Sequence, residues 1–208
     1  IIKALSRDMH ENVKHYRDDQ MEYREYIETW VHEIKTPIAS TKLILENDDS
    51  NLSSRINYEM KRVEGFIEQV LYYARSSDVS KDYIIKEFSL RDVVMKAVKS
   101  NSRDFINKNI KLNIKAIEGS IFSDAKWVEF IINQVIINAV KFSIANKGKV
   151  SIFSKINENN IVLTIEDNGV GISEKDIDRV FEKGFTGENG RKFGKSTGIG
   201  LYLCKKLC

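Results

Sequence analysis

His32 is one of three histidines in 208 residues, and it alone has reactive company. Glu33 follows it directly, and Thr36 stands four positions on, one turn away on the same face of a helix. A neutral imidazole nitrogen is a competent nucleophile toward phosphorus near neutral pH. A neighbouring carboxylate can take the other ring proton and hold the tautomer that leaves the attacking lone pair free. A hydroxyl one turn on can position a water for the reverse hydrolysis. His32, Glu33 and Thr36 are therefore the candidate catalytic residues. His10 and His15 lack such neighbours and read as solvated helix residues. The only proline, Pro37, closes the stretch Trp30-Val31-His32-Glu33-Ile34-Lys35-Thr36-Pro37. It deprives the Glu33 carbonyl of its helical partner and weakens a helix by about 3 kcal/mol, which makes it a candidate hinge beside the histidine.

A second set of residues suits a nucleotide. In Asn133-Gln134-Val135-Ile136-Ile137-Asn138-Ala139-Val140-Lys141-Phe142, Asn138 and Lys141 occupy neighbouring positions on a helix surface. An amide oxygen is a suitable hard ligand for Mg²⁺, and a lysine beside it can meet phosphate as a point charge. Further on, Glu166-Asp167-Asn168-Gly169-Val170-Gly171-Ile172 follows a strand-like run. The Asp167 carboxylate can accept a hydrogen bond from an adenine amino group, while the glycines let the backbone turn tightly against a ligand. Ser196-Thr197-Gly198-Ile199-Gly200-Leu201 is a glycine-rich turn opening a helix, whose exposed N–H groups form a natural phosphate seat. Between them Phe181, Phe185, Gly187 and Arg191 compose a mobile, basic, aromatic lid.

These residues need elements to hold them. Met9, Val13, Tyr16, Gln20, Tyr23, Ile27, Val31, Ile34, Ile38, Thr41 and Leu45 step by alternating fours and threes, a heptad seam with Gln20 and Thr41 as weak members. A second seam, Ile56, Met60, Val63, Ile67, Val70 and Ala74, follows a polar turn at Asn47-Asp48-Asp49-Ser50. One helical hairpin cannot bury both seams, whereas two hairpins in a four-helix bundle can, so the pattern predicts a homodimer. Residues 1–77 form this hairpin, 78–84 a linker and 85–208 a second domain. In the latter, Lys86 to Ser89 reads as extended, Leu90 to Phe105 as helix and Ile110 to Ile114 as strand. Trp127 to Phe142 reads as helix, and Val150 to Lys155 with Ile161 to Glu166 as a hairpin around Asn157 to Asn160. Eight of the eleven glycines lie from Gly169 to Gly200 and mark a flexible loop. The second domain is predicted to be α+β, a mixed sheet with helices on one face.

His32-Glu33-Ile34-Lys35-Thr36-Pro37 resembles the phosphoacceptor box of bacterial sensor histidine kinases, which carry it on such a hairpin. The three later segments resemble the N, G1 and G2 motifs of the ATP-binding sandwich shared by histidine kinases, DNA gyrase and mismatch-repair ATPases. The resemblance implies ATP and Mg²⁺ as cofactors. Asn138 would hold the metal, Lys141 and Arg191 would meet phosphate, and Asp167 would read adenine. Phe181 to Gly187 would form the F box and lid. Gly198 and Gly200 would let the end of the lid approach the phosphates, with Phe142, Gly169, Gly171 and Thr197 also at the site. It further implies a response regulator as partner. The stretch Phe185 to Arg191, with Gly198 to Leu203, looks most like kinases of the bacitracin-sensing, antimicrobial-peptide-resistance kind, which work beside an ABC transporter. The departure is Gln134, where histidine kinases usually have asparagine; it keeps an amide, so the site is expected to survive with altered reach.

Composition bounds the alternatives. With 33 basic and 30 acidic residues spread along the chain, no basic stripe favours nucleic acid. Cys204 and Cys208 have no nearby histidine to complete a zinc site and read as reduced thiols. No apolar run approaches the roughly 18–20 residues that span a bilayer. The chain starts at Ile1 and stops within a helical pattern, so it is expected to be a fragment, the cytoplasmic portion of a cell-membrane protein. An ATP-hydrolysing machine of the gyrase type would carry a glutamate base about where Gln134 stands, and an amide cannot accept that proton. A non-enzymatic dimerisation scaffold is at odds with near-complete nucleotide motifs.

Overall fold

The computed structural model describes residues 2–46, 51–76, 83–192 and 197–208, in two compact units, Ile1–Val79 and Ser80–Cys208. The turn expected at Asn47 to Ser50, most of the 78–84 linker and Ser196 lie outside the described residues.

The first unit is a pair of helices, α1 (Ile2–Glu46) and α2 (Asn51–Arg75). α1 runs unbroken through Pro37, as a seam continuing on both sides of the proline requires. The Thr36 hydroxyl donates to the His32 carbonyl at 3.3 Å, and that of Thr41 to the Pro37 carbonyl at 2.9 Å. Cross-links at Lys42–Glu64 (2.9 Å) and Glu28–Arg75 (2.9 Å) make the helices antiparallel. Ile27, Val31 and Ile38 of α1 are buried against Ile67 and Ala74 of α2, with Ile34, Met60 and Leu71 packed around them. All but Leu71 lie on the expected seams. Seven other seam residues stay open: Met9, Val13, Tyr16 and Tyr23 are 47–66% exposed, and Ile56, Val63 and Val70 are 36–39% exposed, while Gln20, Thr41 and Leu45 are half-buried. A single hairpin thus covers only part of its apolar stripe: α2 ends at Arg75, level with Glu28, short of the seam from Met9 to Tyr23, and α1 reaches Ile56, Val63 and Val70 only in part.

The second unit carries β1 (Lys86–Ser89), α3 (Leu90–Ser100), α4 (Ser102–Asn107), β2 (Lys111–Ile114), β3 (Ser120–Ser123) and α5 (Ala125–Phe142). It continues with β4 (Lys149–Ile156), β5 (Ile161–Asp167), α6 (Glu174–Ile177), α7 (Gly187–Lys192) and α8 (Gly200–Leu207). β1 pairs antiparallel with β3; β2 runs parallel to β4, which pairs antiparallel with β5. The mixed sheet expected from the sequence is therefore divided in two. The β4–β5 hairpin closes as expected, with Asn157 N–H donating to the Asn160 carbonyl at 2.8 Å.

Three local expectations change. The helix foreseen from Leu90 to Phe105 breaks at Asn101, whose buried amide donates to the Ala97 carbonyl (2.8 Å) and to Asn133 Oδ1 (2.6 Å). An amide that satisfies a last-turn carbonyl competes with helix continuation. α5 starts at Ala125, not Trp127, because Asp124 Oδ1 accepts from the N–H groups of Lys126 (2.9 Å) and Trp127 (3.2 Å). The glycine-rich stretch, read as loop, holds the short helices α6 and α7.

The core joins Val94 of α3, Ile136 of α5, and Val150 and Ile152 of β4, all fully enclosed. Ile136→Ala is expected to destabilise the second unit by about 2–5 kcal/mol, read as a lowered denaturant midpoint in chemical unfolding. α8 buries Leu203, Cys204 and Leu207. Burial, reinforced by the neighbouring Cys208, pushes the Cys204 thiol up to about 12, so it stays neutral and packs as an apolar group. No described helix is long and apolar enough to cross a membrane.

Candidate functional site

The nucleotide candidates depend on how α5 ends. Lys108 donates Nζ–H bonds to the carbonyls of Val140 (2.9 Å) and Lys141 (2.8 Å), and the Ser143 hydroxyl donates to the Ala139 carbonyl (2.6 Å). A cation on the last carbonyls satisfies them and complements the helix dipole. Burial holds the Lys108 ammonium below its ordinary pKa, against the opposing pull of Asp104. On this anchored helix Asn138 is half-buried, and among the described residues no group hydrogen-bonds its side-chain amide. A half-shielded amide with open valence fits a ligand-facing role. The Lys141 ammonium lies 5.5 Å from the centre of the Phe142 ring.

The segment after β5 is seated on the same helix end. Val170 N–H donates to the Phe142 carbonyl at 3.2 Å, and a Cβ placed on Gly169 would stand 2.5 Å from that oxygen. Only glycine permits this approach. Asp167 Oδ1 accepts from Gly169 N–H at 2.8 Å; among the described residues its other oxygen has no donor. Asn168 staples the loop from both sides, accepting from Lys149 N–H (2.6 Å) and donating to the Lys147 carbonyl (3.1 Å).

The aromatic segment meets the last motif through backbone. Gly184 N–H donates to the Gly198 carbonyl at 3.0 Å, and Gly198 has φ +65°. Arg179 lies 4.4 Å from the Phe185 ring centre, and the Lys205 ammonium 5.9 Å from that of Phe181. α7, which begins at Gly187, is held from two sides. Asp176 Oδ2 accepts from Glu188 N–H (3.3 Å), and the Asn189 amide donates to the Gly171 carbonyl (2.9 Å). The Glu188 N–H bond, with the charges of Lys175 and Arg179, keeps the Asp176 carboxyl below its usual range. Thr197 Oγ1 accepts from Ile199 N–H at 3.3 Å, and α8 opens at Gly200 with no side chain capping its first turn.

The expected nucleotide residues Asn138, Phe142, Gly169, Gly171, Phe181, Phe185, Gly187, Gly198 and Gly200 thus belong to one connected set of segments. The side chain of Arg191 lies outside the described residues, although its backbone is in α7. In the first unit His32 and Thr36 are exposed on α1, and the side chain of Glu33 lies outside the described residues. Sequence reasoning passed over Lys108, Asn168, Asp176 and Asn189. Of these Asn168 and Asn189, each in an Asn-Gly pair, carried a local signal, and that signal was of a turn.

Known proteins resemble this chain in sequence and in fold. A family model described as histidine kinase-, DNA gyrase B- and HSP90-like ATPase matches residues 123–208. Sensor histidine kinase YxdK of Bacillus subtilis (strain 168) is 38% identical over 184 residues, covering 88% of this chain and 56% of the relative. Sensor protein BceS of the same organism is 36% identical over 178 residues, 85% of this chain and 53% of its own. The chain spans about half the length of the curated relatives it matches. Full-length ShkA, solved in complex with AMPPNP, shares the fold with a TM-score of 0.63 at 19% identity, over 88% of this chain and 40% of ShkA. The chain belongs to the bacterial sensor histidine kinases, and its second unit carries their ATP-binding domain.

Proposed function

We propose that the intact protein uses ATP to phosphorylate itself on His32, passes the phosphoryl group to an aspartate of a response regulator, and also dephosphorylates that regulator. The observation that carries this reading is the joining, in one chain, of an exposed histidine in a His-Glu-Ile-Lys-Thr-Pro box to an ATPase-type fold. Bound MgATP would supply the phosphoryl group and the charge neutralisation that phosphoryl transfer requires. Asn138, with its uncommitted amide, would hold Mg²⁺, and Lys141 and Arg191 would neutralise phosphate charge. Asp167 would accept from the adenine amino group through the oxygen that Gly169 leaves open. Phe142, Phe181, Phe185 and Thr197 would line the nucleotide, with Gly187, Gly198 and Gly200 shaping the lid around it.

At the acceptor, Glu33 would hold the reactive His32 tautomer. Thr36, one turn on, would order the water that dephosphorylates the regulator. The open seam residues support a homodimer: Met9, Val13, Tyr16, Ile56, Val63 and Val70 continue the apolar stripe, and a second hairpin would cover them. The resemblance of Phe185 to Arg191 and Gly198 to Leu203 to the bacitracin-sensing kinases supports a membrane-anchored sensor of cell-envelope-active peptides, its ATP-binding part on the cytoplasmic side and an ABC transporter as neighbour.

Incubation of the full chain with γ-labelled ATP and Mg²⁺ tests the reaction class. Phosphoramidate chemistry predicts protein-bound label that is lost in acid and kept in base. Free phosphate with no labelled protein would instead identify an ATPase.

A further inference from the structure

Glu28, His32 and Thr36 follow one another at four-residue intervals on α1, with Arg24 one turn before them, so all four share one helix face. Glu28 and His32 each sit directly after a buried seam residue, Ile27 and Val31. Arg75, the last residue of α2, follows buried Ala74 and reaches across to this face. Its Nε–H donates to Glu28 Oε1 at 2.9 Å, and Arg24 Nε–H reaches the same oxygen at 3.4 Å. Partial burial raises the Glu28 carboxyl, but the bond and charge of Arg75, aided by Arg24, outweigh it and leave the group below its ordinary range. Arg75 commits only its Nε. Both terminal amino groups of its guanidinium lack a partner among the described residues, and the side chain is 38% exposed.

A phosphoryl group on His32 would place negative charge one turn from the Glu28 carboxylate, and like charges at that spacing repel. Guanidinium groups bind phosphoryl oxygens in a planar fork, and Arg75 has donors to spare in that neighbourhood. We propose that Arg75 is a positioning residue for the phosphorylated state, holding the phosphoryl group on His32 with its terminal amino groups and offsetting the repulsion from Glu28. This rests on His32 being the phosphoacceptor. The Glu28–Arg75 pair is then the resting arrangement of a cation whose other partner is the phosphoryl group. A staple that only ties the middle of α1 to the end of α2 would value both partners equally. A phosphoryl-holding residue breaks that symmetry, because removing Glu28 frees Arg75 whereas removing Arg75 strips the site.

The test is the level of phosphohistidine reached by the full chain at a fixed ATP to ADP ratio, with helicity and thermal midpoint followed for each variant. Arg75→Gln is expected to lower that level roughly five-fold, the scale of one partly exposed charge pair. Glu28→Gln is expected to leave it unchanged or raise it, and Arg75→Lys to recover part of the loss. Equal losses in Arg75→Gln and Glu28→Gln, or no loss in Arg75→Gln, would overturn the proposal. Label that never appears on the wild-type chain, or that survives His32→Gln, would refute the acceptor assignment itself and this inference with it.

Discussion

Gly198→Ala is expected to cost about a hundred-fold in nucleotide affinity while leaving the chain folded. Gly198 has φ +65°, a left-handed conformation that costs an alanine about 1–2 kcal/mol. Its added Cβ would lie 2.4 Å from the carbonyl carbon of Gly184, which is backbone and has no side chain to swing aside. Relieving that contact breaks the Gly184–Gly198 hydrogen bond, worth about 1 kcal/mol net. These effects together come to about 3 kcal/mol, and all of them fall where the aromatic segment meets the turn into α8. Neither Gly184 nor Gly198 belongs to the core on α3, α5 and β4, so the unfolding midpoint should move little. Calorimetric titration with ADP and ATP checks the prediction; affinity within three-fold of wild type would contradict a role for that contact in nucleotide binding.

Asn138→Ala is expected to reduce phosphoryl transfer by about 100-fold or more, the usual scale for losing a preorganised group at a transferring phosphoryl. Its amide has no protein partner among the described residues, so removal leaves no orphaned donor or acceptor behind. Stability should therefore be close to wild type, which separates this substitution from a folding defect. The loss should also appear as a weakened response of the transfer rate to added Mg²⁺. A variant that keeps both its rate and its Mg²⁺ dependence would show that Asn138 is not the metal's ligand.

The parts of this molecule that were legible in the sequence are those whose pattern is periodic or whose chemistry is compact. The seam through Ile27, Val31, Ile34 and Ile38 is visible because burial on a helix repeats every three or four residues, and it carries across Pro37 without a shift. The hairpin of β4 and β5 is visible because apolar residues bracket a polar turn. β3 was not. It is four residues long with serine at both ends, and Phe122 is 74% exposed, so no alternation pointed to a buried face. The break at Asn101 was hidden because the amide that caps the Ala97 carbonyl is also held by a partner thirty-two residues away, Asn133. The same holds for the candidate site. Asn138, Asp167, Gly169 and Gly198 stand in short motifs whose residue types announce their chemistry. Lys108, Asp176 and Asn189 act through backbone groups of distant segments, and such contacts leave no mark on the local sequence. Arg75 lies forty-seven positions from Glu28, and only the antiparallel pairing of α1 with α2 brings it beside the face of His32.

The central claim is that a phosphoryl group passes from ATP to His32. The direct measurement is the amount of acid-labile label incorporated from γ-labelled ATP by the wild-type chain and by His32→Gln, with ADP affinity measured on both. The account predicts labelled wild type, unlabelled His32→Gln and equal ADP affinity, because His32 is exposed on α1 and the nucleotide residues belong to the second unit. Label of equal amount on His32→Gln would contradict it.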